Sequence, residues 1–165
     1  SNHPLALIAN NTERMRIDSA GLITGTGTSL GAWTAYTPTL GGTGWAIGNG
    51  TAAGYYCQIG KMVHFKAVIT LGGTSTAGSG NPTISLPVSA RNVLSGQTTC
   101  NGILRDASAS LSYIAFPSLS VGSSVVTVRS FSTAGVEATL NSTTPFTWTP
   151  ADADWIGVAG TYEAA

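Results

Sequence analysis

The residues that could carry chemistry are few, and each has a plainer reading. Gly27-Thr28-Ser29-Leu30-Gly31 spells the G-x-S-x-G nucleophile elbow. That motif exposes a serine only on a sharp strand-to-helix turn of an α/β sheet, and no helix-period stretch follows here. It reads as a Gly-rich linker. Cys57 and His64 could pair as nucleophile and base, but no third group is placed to orient His64. A packed, hydrogen-bonded histidine at an interface is simpler. A glycosidase needs two carboxylates facing across a cleft. Beyond residue 32 the acids are Asp106, Glu137, Asp152, Asp154 and Glu163. Asp152 and Asp154, in PADAD, read as the turn before the last strand, and they are too few for a calcium site. His3 and His64 make no zinc site. The expectation is no catalytic residue, no metal and no cofactor. Three Asn-x-Thr sequons, starting at Asn10, Asn49 and Asn141, are chance matches in a Thr- and Ser-rich chain.

Composition narrows the classes further. The chain has 165 residues, of which 8% are charged, against about 25% in an average soluble domain. The surface must then be built from Thr, Ser, Asn and Gly, or part of it must be covered by other copies. Seven basic residues balance seven acidic ones. This removes the electrostatic footprint of a nucleic-acid binder and of a protein held on an anionic membrane. No apolar run is long enough for a spanning helix, and Ser1 to Asn10 lacks the features of a signal peptide. Cys57 and Cys100 follow no disulfide spacing pattern and read as small buried thiols.

The element around which the rest is arranged is Thr51 to Leu71, TAAGYYCQIGKMVHFKAVITL. It predicts two strands joined at Gly60-Lys61, with Gly at the first central position of a type II′ turn. Pairing Ile59 with Met62 sets Gln58 against Val63, Cys57 against His64, Tyr56 against Phe65 and Tyr55 against Lys66. Val63, Phe65, Ala67, Ile69 and Leu71 make a continuous apolar face, the expected core. Met62, His64, Lys66, Val68 and Thr70 make a mixed face. It is too apolar for open water and too polar for a core, so it predicts a subunit interface.

Upstream, ERMRID places Met15 and Ile17 on one side, and ITGTGTSLG is a small-residue linker. Such a strip is stable only when packed on copies of itself or on a larger domain. Downstream, short strands alternate with Gly, Ser and Asn turns: Trp33–Leu40 with an edge at Pro38, Trp45–Ile47, Thr83–Val88, Thr98–Arg105, Ser110–Phe116, Ser124–Arg129, Val136–Leu140, Phe146–Trp148 and Trp155–Tyr162. Gly72 to Pro82 reads as a flexible polar loop. The fold class expected is all-β: a jelly-roll-like antiparallel β-sandwich head at 33–165, preceded by a short β-rich stem and linker at 1–32.

Several blocks, in order, resemble the C-terminal part of tail-fibre and minor tail proteins of tailed bacteriophages. They are NTERMRIDSAGLITGTGTSLGAW, WTAYTPTL, GYYCQIGKMVHFKAVITL and DWIGVAGTYEA. The first resembles the end of a fibre stem, the second the start of a terminal head, the third a hairpin of that head and the fourth its last strand. The chain departs from the pattern in having no long stem, no collagen-like run and no autocleaving segment, and it resembles an isolated tip. The resemblance implies a homotrimeric virion protein that binds a host cell-surface glycan or other receptor by non-catalytic, multivalent adhesion, linked to other tail proteins through its stem. A structural capping domain is the alternative, and a surface-glycan hydrolase a third. No nucleic acid and no membrane insertion are expected.

Aromatic side chains are the usual platforms for sugar rings. Trp45 and Tyr113 lie nearest to turns, with Asn49 and Asp106 as polar partners, and these predict a shallow neutral-glycan site in loops. Trp33, Trp148 and Trp155 read as core. The trimer interface expected is Met15, Ile17, Ile59, Met62, His64, Lys66 and Val68.

Overall fold

The computed structural model describes residues 4–21, 23–25, 28–29, 31–91, 98–132, 134–141 and 151–165. Every strand pairing among them is antiparallel. Expectations for His3, Gly27, Leu30, Ser142, Thr143, Phe146 and Trp148 fall outside the described residues.

The first strands, β1 (Leu5–Ala9), β2 (Thr12–Ile17), β3 (Ile23–Gly25) and β4 (Thr28–Ser29), form a sheet of their own in chain order. Asn10 and Asn11 both have positive φ, 51° and 56°, the signature of a type I′ turn closing β1 on β2. This pair was read only as a sequon; asparagine's tolerance of the left-handed region is the signal that marks the hairpin. Leu5 faces Ile17, Leu7 faces Met15, and Ile17 faces Ile23, so one side of this sheet is apolar. The Ser of the G-x-S-x-G letters lies on β4, paired with β3, not on a strand-to-helix turn.

The remaining strands form one curled sheet. In chain order they are β5 (Thr34–Tyr36), β6 (Leu40–Gly41), β7 (Thr51–Ile59), β8 (Met62–Thr70), β9 (Thr83–Ser85), β10 (Thr98–Thr99), β11 (Asn101–Asp106), β12 (Leu111–Leu119), β13 (Val125–Phe131), β14 (Glu137–Ala138) and β15 (Trp155–Glu163). Their lateral order is β5-β7-β8-β15-β11-β12-β13-β9-β6, with β10 continuing β11 against β12, and β14 continuing β9 against β13. The two outermost strands, β5 and β6, are separated in the chain only by Thr37-Pro38-Thr39. From Tyr36 to Leu40 an extended chain reaches at most about 14 Å. The opposite edges of the sheet therefore approach to about the 10 Å spacing of packed sheets. This closure makes the structure a β-sandwich. Pro38, with no N–H to give a ladder, is buried at the crossing and splits what the sequence reads as one strand, 33–40.

The hairpin β7–β8 has the expected register throughout, from Ile59↔Met62 to Thr51↔Thr70. Gly60 alone has positive φ at its turn (59°), as a type II′ turn needs. Val63, Phe65, Ala67, Ile69 and Leu71 are all buried. They meet Ile84, Leu104, Ala115, Val126, Val128, Leu140, Ile156, Val158 and Tyr162 in one core. Burying a large apolar side chain is worth about 1.5–3 kcal/mol, so this alternating face is the main support of the fold.

The 72–82 loop is fastened rather than open. Thr76 and Ala46 exchange backbone bonds, and the Ser75 hydroxyl donates to the Ile47 carbonyl. The stretch 45–47 is accordingly a bridge to this loop, not a strand.

Candidate functional site

The residues expected to form a sugar site in the loops do other work. Trp45 is 6% exposed, and its indole N–H donates to the Gly80 carbonyl at 2.6 Å. The Asn49 side-chain oxygen accepts from the backbone N–H and hydroxyl of Thr74, both at 3.0 Å. Asp106 is 9% exposed and caps its own turn, accepting from Ala109 N–H at 2.8 Å and the Ser108 hydroxyl at 2.7 Å. These bonds, the Ala109 N–H foremost, hold its carboxyl below the usual carboxylate range. Tyr113 is half-buried against the core. The four do not converge: Trp45 and Asn49 hold the 72–82 loop, while Asp106 and Tyr113 belong to the β11–β12 hairpin.

The face of the sheet that points away from the core is different. On β15 the outward positions run Trp155, Gly157, Ala159, Thr161, because Ile156, Val158 and Tyr162 point inward. Two small residues side by side on a central strand leave a trough. Register fixes its walls. One row across the sheet is Ala53, Val68, Gly157, Ile103, Ile114, and the next is Tyr55, Lys66, Ala159, Asn101. The result is a groove of about 420 Å³, with Tyr55, Lys66 and Val68 on one side, Asn101 and Ile103 on the other, and Trp155 at its end. Gly157 gives the Trp155 ring room to approach the strand. A Cβ on it would lie 2.9 Å from the Trp155 ring, so the indole folds back over the glycine.

Lys66 is the charged side chain of the lining. Its ammonium stands 5.0 Å from the Trp33 ring centre and 5.6 Å from that of Tyr55. A cation held over two ring faces gains electrostatic attraction without a carboxylate partner, and among the described residues Lys66 makes no ion pair. Trp33 is 54% exposed and Tyr55 47%. Trp33 and Trp155 thus stand on the outer face, not in the core where the sequence placed them. A tryptophan in a regular strand reads as core from its type alone, and the face it takes is set by register with distant strands. The small pair Gly157 and Ala159 marks a groove only once the register sets it between Lys66 and Ile103.

Lower on the same face, Ile59 and Met62 are paired and half-exposed. His64 lies opposite Cys57, but its Nδ1 is 2.8 Å from the Thr161 hydroxyl. Cys57 is buried in spite of its outward position, because the chain at Gly31 covers it. The seven residues expected at a trimer interface, Met15, Ile17, Ile59, Met62, His64, Lys66 and Val68, are all exposed in the single chain. Lys66 and Val68 also form one wall of the groove. Farther round the sheet Ile114, Phe116 and Phe131 are exposed too, the two rings meeting edge-to-face.

Asp152 and Asp154 do not share a site. Asp152 is exposed. Asp154 is fully buried and accepts from Ala107 N–H at 2.8 Å and Ala151 N–H at 3.0 Å. It ties the 107–110 turn to the segment leading into β15.

This chain matches no known protein-family model, and neither a curated protein nor a solved structure is significantly similar to it.

Proposed function

We propose that the chain is the head of a fibre-like virion appendage that adheres to a host cell-surface glycan through the groove on its outer sheet face. The groove carries this reading: its volume falls in the 300–1,000 Å³ range of small-ligand sites, with aromatic surface and few polar groups. Aromatic platforms with sparse directional hydrogen bonds are how proteins hold sugar rings. The lining includes no carboxylate, so it lacks the acid pair that a glycosidase needs. The resemblance to tail-fibre tips adds support, because its separated blocks are neighbours in space. WTAYTPT supplies β5, the GYYCQIGK hairpin supplies β7 and β8, and DWIGVAGTYEA supplies β15, four strands in a row.

Adhesion would work through several copies. The uncovered apolar side of the small sheet, Leu5, Leu7, Met15, Ile17 and Ile23, and the Ile59–Met62 end of the head are the surfaces for a homotrimer. One stacked ring is worth about 1 kcal/mol and a charge-assisted polar bond about 1.5–3 kcal/mol, so a single site should be weak, near the millimolar range that corresponds to about 4 kcal/mol. Linking three sites raises the effective affinity by about 10²–10⁴. The same exposed apolar surface favours a second reading, a domain that assembles and caps a fibre without touching the receptor.

The deciding experiment is a surface-polysaccharide array probed with the intact assembly, wild type beside Ala159→Leu. Ala159 is exposed on the groove floor, so leucine fills the trough and leaves the core alone. Binding by the wild type that is lost in the variant supports adhesion through the groove. Absence of binding to any bacterial polysaccharide leaves the capping role.

A further inference from the structure

We infer that the groove selects an acidic sugar, a ring bearing one carboxylate such as a uronate residue of an anionic surface polysaccharide, with Lys66 as the charge-reading residue; this rests on the adhesion reading above. The loops, where a neutral site was expected, hold almost no basic residue. The groove takes its cation from the strand instead.

Three observations converge. The first is charge: the lining has one cation, Lys66, and no acid. A ligand that enters displaces water from the ammonium, and a carboxylate replaces that water with a charge-assisted hydrogen bond that the two rings cannot supply. One monocation balances a uronate, whereas a phosphate monoester carries nearly two charges at neutral pH. The second is orientation. Trp33 and Tyr55 hold the ammonium at 5.0 Å and 5.6 Å from their centres, which limits its freedom at the groove wall before any ligand arrives. An ordered donor loses less entropy on pairing than a lysine free in solvent. The third is the remainder of the lining. Trp155, folded over Gly157, gives a flat apolar surface at one end, and Asn101 and Tyr55 bring polar groups to the two walls. A pyranose presents the matching pattern: an apolar C–H face, hydroxyls on its edge and the carboxylate at one corner.

A second copy of the chain is the competing occupant, since Ile114, Phe116 and Phe131 could seat in a neighbour's trough. Those side chains bring no anion to Lys66, and for that reason the saccharide is favoured.

The test compares two probes on the intact assembly by calorimetry: a galacturonate trisaccharide and the same molecule after carboxyl reduction to galactose. The acidic probe should bind at least about 10-fold tighter, weaken as salt rises, and lose that advantage with Lys66→Gln, while Arg105→Gln has no effect. Lys66 is exposed, so the glutamine variant keeps the fold. Ala159→Leu should abolish binding of both probes. Equal binding of the two probes in the groove overturns the acidic preference and leaves the adhesion reading intact. Absence of binding by either probe, together with a native array that binds neutral polysaccharides only, also overturns it. If no glycan binds and Tyr55 and Lys66 are shielded from labelling only in the assembled protein, the groove is an interface between copies and both readings fall.

Discussion

At the residue scale, two aspartates separate structural from functional carboxylates. Asp154 is fully buried and satisfies the N–H groups of Ala107 and Ala151. Asp154→Ala leaves two donors without that acceptor in a closed site, and should cost about 3 kcal/mol, read as a lower denaturant midpoint at unchanged m-value. Asp106 has a carboxyl held below its usual range by the turn it caps. A depressed folded-state value means that its stabilising effect is complete above the unfolded value and is lost as pH falls through the folded one. Asp106→Asn should therefore be less stable than the wild type at pH 7, and the difference should shrink as pH falls below about 4, so that the variant's stability varies less with acid. The thiols make a third case. Cys57 and Cys100 are free and buried, and burial pushes Cys100 up to about 11. Neither should react with an alkylating agent at pH 8 until the protein unfolds, as intact mass before and after denaturation will report.

At the element scale, the hairpin β7–β8 divides inside from outside by simple alternation. Val63 has no exposure and Met62 is 54% exposed, one residue apart. Val63→Asp buries an unpaired charge and should abolish the cooperative unfolding transition. Met62→Asp should leave that transition in place and weaken association between copies. Identical behaviour of the two variants would refute the division of faces. This element was the most legible in the sequence, because Gly60 fixed the turn and a period of two fixed both faces. β15 was half legible. Its inward set, Ile156, Val158 and Tyr162, could be read from hydrophobicity, but its outward Gly157 and Ala159 have meaning only beside Lys66 and Ile103, strands far away in the chain. Register between distant strands is set by tertiary packing, and no local pattern announces it. The same limit explains Trp45 and Trp33. A tryptophan between two Gly-rich turns looks exposed until the 72–82 loop folds over it, and one at a strand start looks buried until the sheet turns it outward. The Trp33–Leu40 stretch failed for a different reason. Pro38 suggests an edge, and both β5 and β6 are outermost strands, yet the crossing between them depends on the closure of the whole sheet.

At the scale of the whole molecule, the small N-terminal sheet and the head each present uncovered apolar surface, and the magnitudes decide how they must cooperate. Leu5, Leu7, Met15, Ile17 and Ile23 are between 37% and 62% exposed. Covering them stabilises by about 1 kcal/mol each, roughly 5 kcal/mol per copy. Association costs on the order of 4–15 kcal/mol in lost freedom. The strip alone is therefore marginal, and the Ile59–Met62 end of the head must contribute if three copies are to stay together at micromolar concentration. Light scattering should return the mass of a trimer for the wild type. Ile17→Asp or Met62→Asp alone should shift the equilibrium toward monomer by about 10–100-fold in concentration, and the pair together should give monomer only. Unfolding of the head in that double variant should remain cooperative, because its core contains neither residue. A wild-type mass of one chain at micromolar concentration would refute the assembly, and with it the avidity on which adhesion through weak single sites depends.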